Sequence, residues 1–122
     1  MAKFDSDAVL DGTLDIIAAC TELYICSGAG APADRAAAIA ASGIAAHTLA
    51  SGDFAKADDT SGRKVTLAAQ AALSVTASIT ATHIALCTGS VLQAVTTCTS
   101  QALTSGNTVS TPAFKWGVAD PT

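Results

Sequence analysis

Apolar side chains recur at helical spacing near the start of the chain, at Val9, Leu10, Leu14, Ile17 and Ala18. The spacing predicts a helix that reaches about Cys20, capped by Asp5 or Ser6 and carrying Asp7 in its first turn. The pattern then shortens. Leu23, Tyr24, Ile25 and Cys26 form a compact β-prone run that stops at Ser27-Gly28-Ala29-Gly30, which predicts a strand followed by a surface loop. Pro32 placed in a first helical turn, then Asp34 and the Ala-rich residues 35–42, predict a second short helix closed by Gly43.

Beyond Gly43 the period becomes that of strands. Runs rich in Val, Ile and Thr, set apart by turn residues, predict strands at residues 44–49, 64–69, 73–78, 81–87, 91–97 and 108–117. Thr88-Gly89-Ser90 makes residues 81–97 a hairpin, and Ser105-Gly106-Asn107 marks another turn. Pro112 lacks the N–H that a ladder needs, so the last run is expected to be an edge strand or to carry a bulge. The fold class expected is mainly β (α+β): an antiparallel β-sandwich or small barrel of about six strands, with an N-terminal helix and a short Ala-rich second helix. One domain spans residues 1–122, helical and looped over 1–43 and β-rich over 44–122.

Composition sharpens this picture at two points. Half of the 122 residues are hydrophobic but only 4% are aromatic, and 28 are Ala, so the core is expected to be shallow. Charged residues are only 13%, and none of Asp, Glu, Lys or Arg occurs anywhere from Val65 to Phe114. A solvated domain normally keeps charge on its exposed face. This half is therefore expected to coat its surface with Ser and Thr hydroxyls or to cover it with other chains.

The net charge of −4, with six Lys and Arg in all, argues against nucleic acid and anionic membranes as partners. Every 18-residue window is interrupted by polar residues, and the first residues are acidic, not an apolar signal core; a soluble, unexported protein is expected.

Candidate chemistry is sparse. Cys20, Cys26, Cys87 and Cys98 do not show the close pairs of a zinc knuckle, and their spacing favours buried free thiols over two disulfides or a metal site. His47 and His83 fall inside expected strands with no GxSxG elbow, HExxH helix or paired carboxylates beside them, so both read as structural. Gly28-Ala29-Gly30 lacks the third glycine and the parallel sheet of a dinucleotide site. No catalytic, cofactor-binding or metal-binding residue is assigned, and no enzyme activity, cofactor or small-molecule substrate is expected. Two groups are candidates for an interface. Asp58 and Asp59 face Arg63 and Lys64 across a Thr-Ser-Gly turn, either as a solvated loop or as a latch between copies. Phe114 and Trp116 flank Lys115 on one strand face, either as core or as an interface anchor.

Several runs together resemble a known family. Thr48-Leu49-Ala50-Ser51-Gly52-Asp53-Phe54, Asp59-Thr60-Ser61-Gly62-Arg63-Lys64-Val65-Thr66, Ala81-Thr82-His83-Ile84-Ala85-Leu86-Cys87 and residues 95–109 are similar to small virion proteins of tailed bacteriophages. Pro112, Phe114, Trp116, Asp120 and Pro121 match that family's ending. The resemblance implies a virion structural protein, assembled in the bacterial host cytoplasm, with a capsid decoration or cement role that stabilises the head lattice. The alternative it implies is a tail or neck component such as an adaptor, tube or fibre-attachment subunit. Its expected partners are the major capsid protein and copies of itself. The acidic balance suits the outside of a head better than a DNA-facing surface.

Overall fold

A computed structural model of the chain describes residues 7–28 and 30–118. Its elements in order are α1 (Asp7–Ala18), β1 (Glu22–Cys26), α2 (Arg35–Ala41), β2 (His47–Thr48), a single 3-10 turn at Ser51–Asp53, β3 (Phe54–Asp58), β4 (Arg63–Leu67), β5 (Gln70–Ser74), β6 (Ile79–Cys87), β7 (Leu92–Leu103), β8 (Thr108–Thr111) and β9 (Phe114–Val118). The strands form three antiparallel sheets, ordered β2-β1-β6-β7, β3-β4-β9 and β5-β8. The fold is mainly β, of the α+β class.

The four-stranded sheet is buried on both faces at its centre, and the sequence of β1 follows from that. Leu23 and Ile25 point to one side, where Ile84 and Leu86 of β6 join Leu67, Leu73 and Val75 in the main core. Tyr24 and Cys26 point to the other, where Ala85 and Cys87 of β6 pack with Ala38 of α2. A strand covered on both faces shows an unbroken apolar run instead of alternation. Small residues on the second face let the short α2 lie close to the sheet, and the buried Cys26 thiol donates to the Ala38 carbonyl at 3.4 Å.

Helix α1 covers the three-stranded sheet, packing on β4, β9 and β3. Leu10 and Leu14 are buried and Ile17 is half-buried against the core, but Val9 is 60% exposed, so the apolar stripe is narrower than the sequence suggests. The expected caps Asp5 and Ser6 lie outside the described residues. At α2 the cap is Asp34, whose carboxylate accepts from the Ala37 N–H at 2.8 Å, and Pro32 precedes the helix instead of entering it. The helix ends at Ser42, and Gly43 serves a different purpose: its N–H donates to the Ile25 carbonyl at 2.9 Å, tying the chain back to β1.

Nine strands stand among the described residues where about six are expected, and the differences have physical causes. Strand β3 has only Phe54 partly buried, so no hydrophobic alternation announces it; a hairpin with β4 holds it, in register from Phe54↔Leu67 to Asp58↔Arg63. Gly62, at φ +76°, closes that turn. The expected strand at 44–49 shrinks to His47–Thr48 plus one bridge from Ile44 to Val75. The last run splits at Pro112: β8 pairs with β5, and β9 pairs with β4. The proline thus marks a change of sheet.

The hairpin at 81–97 forms as expected, with the Thr88 N–H donating to the Val91 carbonyl at 2.9 Å across the link. β7 then runs on to Leu103, twelve residues in all, and lies at one edge of its sheet.

Candidate functional site

The charged side chains of the β3–β4 turn are gathered at one end of the three-stranded sheet and paired within the chain. The Arg63 guanidinium donates to both carboxylate oxygens of Asp11 on α1, at 2.9 and 3.2 Å, and to Asp58 at 2.9 Å. Lys115 of β9 donates to both oxygens of Asp59 at 2.8 Å, and Lys56 of β3 pairs with Asp15 of α1. Lys64 follows Arg63 in β4 and adds its positive field at Asp59. The latch residues Asp58, Asp59 and Arg63 therefore clamp α1 and β9 to the β3–β4 hairpin of their own chain. Phe114 and Trp116 share a face, with ring centroids 4.9 Å apart and planes tilted by 55°, and both pack half-buried against the core. The core reading describes them.

Hydrogen bonding to Arg63 holds the Asp11 carboxyl below its ordinary value, and Lys115 followed by the Thr60 N–H does the same for Asp59. Arg35, bonded to Glu22 at 2.8 and 3.0 Å, lowers that carboxyl too. Groups whose folded value is lowered bind protons more readily in the unfolded chain, so their stabilisation is complete above the ordinary carboxylate range and drains as pH falls through the lowered values. The melting temperature is expected to fall from about pH 5 to about pH 2, and Asp11→Asn is expected to flatten part of that fall. An equally steep fall in Asp11→Asn would show that the Arg63 pairing does not contribute.

The thiols are free, with Cys20, Cys26 and Cys87 buried and Cys98 half-buried. Burial pushes the Cys20 and Cys26 thiols up to about 11, the opposite of what a nucleophile or metal ligand requires. His47 Nε2 meets Gln70 Oε1 at 2.8 Å and His83 Nδ1 meets Thr82 Oγ1 at 2.8 Å, so each ring is tied to a neutral partner. Among the described residues no group of three His, Cys, Asp or Glu is placed to hold a metal, and no helix is long and apolar enough to cross a membrane.

A second feature lies between β7 and β8. β7 and β8 are joined by the short link 104–107, in which the Asn107 N–H bonds back to the Thr104 carbonyl and Gly106 takes φ +91°. Such a link ordinarily closes a hairpin, yet β8 pairs with β5, so the two strands part and leave a cleft of about 390 Å³ between them. Ile25, Ile84 and Leu103 contribute apolar floor, Thr96 to Thr99 line the β7 side, and Thr111 and Phe114 the other. Thr111 is 4% exposed and its hydroxyl has no hydrogen-bond partner. Among the described residues no charged side chain lines the cleft. The signal for it in the sequence is the uncharged stretch from Val65 to Phe114, which shows that a face lacks charge without saying which edge it belongs to.

No known protein family, curated protein or solved structure matches the chain.

Proposed function

We propose that the chain is a structural protein of a bacteriophage virion and that it decorates the head, binding the major capsid protein and copies of itself on the outside of the lattice. The observation that carries the reading is the segregation of charge. Asp11, Asp15, Asp58 and Asp59 pair with Lys56, Arg63 and Lys115 around the three-stranded sheet, while strands β6, β7 and β8 carry no charged residue and β7 ends its sheet in an open edge beside an apolar cleft. A surface of this kind favours contacts with protein over contacts with ions or nucleic acid. On a shell, many such contacts add, because each site of attachment raises the effective concentration for the next. The runs similar to small tailed-phage virion proteins supply the class of particle.

Immunogold labelling of purified particles with antibody to this chain, combined with its copy number from quantified gels, tests the reading. Label spread evenly over the head, at a copy number that scales with the whole shell, is the expected result. Label confined to one vertex or to the tail would replace decoration with the tail or neck role, and absence from particles would remove the virion reading altogether.

A further inference from the structure

Among the described residues β7 is the longest strand that stands at the edge of a sheet. β7 is twelve residues long, β6 covers only its inner side, and among the described residues no backbone hydrogen bond leaves its outer side. Proteins protect such edges with lysines, prolines or short strands, because an open edge is a template for another strand. Leu92-Gln93-Ala94-Val95-Thr96-Thr97-Cys98-Thr99-Ser100-Gln101-Ala102-Leu103 has no charged residue, no proline and no glycine. The register with β6 shifts twice, between Thr97 and Gln101 and between Leu92 and Ala94, so irregularities of the ladder are the protective devices present on the strand.

The lack of charge bears on which strand fits. When two copies pair antiparallel about a two-fold axis, a side chain near the axis meets its own symmetry mate, so any charge there repels itself. Neutrality across the whole strand removes that penalty for self-pairing. Beside the edge, the cleft is lined by the half-buried ring of Phe114, which a second copy would cover further.

We propose that two copies of this chain pair antiparallel through the outer edges of their β7 strands, joining two four-stranded sheets into one sheet of eight. The pairing rests on the reading above only for its biological setting; its geometry stands on the strand itself.

The purified full chain is tested by light scattering after gel filtration. The wild type is expected to show twice the mass of one chain. Lys and Glu are placed singly at exposed Gln93, Thr97 and Gln101, and at the position nearest the axis each is expected to halve that mass, since each places like charges across it. Mixing the two variants is expected to restore the double mass through opposite charges, which an unfolded variant would not do. A cysteine placed at exposed Gln93, Thr97 or Gln101 in a Cys98→Ser background is expected to crosslink between copies most strongly at the position nearest the axis.

A wild type that stays monomeric at millimolar concentration would overturn the proposal, as would variants that keep the double mass at all three positions or a mixture that fails to recover it. A monomer that still labels phage heads would defeat the pairing and leave the virion role standing. A β7-linked dimer absent from particles would do the reverse.

Discussion

Leu86→Ala is expected to lower the unfolding free energy by about 3–5 kcal/mol, the upper part of the range for buried leucines. Leu86 is fully buried in the middle of β6, opposite Leu23 of β1 and Ala94 of β7, and its side chain lies in the core shared with Leu67 and Leu73. Two features keep the loss high. The strands on both sides are held by ladder hydrogen bonds and cannot sink into the space left behind. The fully buried neighbours in this cluster are aliphatic or small, and the rings of Phe54, Phe114 and Trp116 lie only partly buried at its margin. Domains of this size are stable by roughly 5–15 kcal/mol, so one truncation consumes a large share. Urea denaturation should show a lower midpoint with an unchanged slope. Leu86→Met, which conserves volume, should lose less than about 1.5 kcal/mol. Equal losses for the two variants would mean that volume is not what Leu86 contributes.

Gly43→Ala is expected to cost about 1–3 kcal/mol by overpacking. The Gly43 carbonyl accepts from Thr76 at 2.8 Å and Ala77 at 3.3 Å, while its N–H holds Ile25, so the backbone is fixed from both sides. A Cβ built there falls 2.5 Å from both Cγ1 and Cδ1 of Ile79 and 3.3 Å from the Ala77 carbonyl oxygen. Ile79 is β-branched and confined to few rotamers on its strand, so it gives way only at a cost. Gly43→Ala combined with Ile79→Ala should therefore lose less than the two single changes added together, by about 0.5–3 kcal/mol. Strict additivity, measured by the same denaturation, would move the cause from the Ile79 side chain to the backbone.

These two sites also show how far the amino-acid pattern reaches. The run Leu23 to Cys26 is legible as a strand because burial on both faces makes it continuously apolar, and the β6–β7 hairpin is legible because Thr88-Gly89-Ser90 interrupts two β-prone runs. Gly43 is legible only as a helix stop; its contact with Ile79 belongs to the tertiary fold. β3 is invisible to periodicity because Ala55, Lys56, Ala57 and Asp58 are all exposed, and its ladder to β4 alone makes it a strand. Asp58, Asp59 and Arg63 can be found as a charged turn, but Asp11, which takes two of the Arg63 bonds, lies 52 residues away in the chain. The charged turn alone does not say which carboxylate elsewhere in the chain Arg63 bonds. The core for which the scarcity of aromatics predicts shallowness is aliphatic, built from buried Leu, Ile and Val of five strands and of the segments between them and completed at its margin by Phe54, Phe114 and Trp116.

The placement of β1 between β2 and β6 also governs the timing of folding. Tyr24 pairs with Ala85, so at ordinary synthesis rates β1 leaves the ribosome several seconds before its principal neighbour, roughly sixty residues behind, is available. During that interval the buried run Leu23 to Cys26 lacks its principal partner strand. The β3–β4 hairpin, closed by a short turn, can form while β1 waits, and the two-sided burial of β1 is completed only when β6 arrives. An order of this kind makes the nascent chain dependent on whatever shields Leu23 to Cys26 until the central ladder closes.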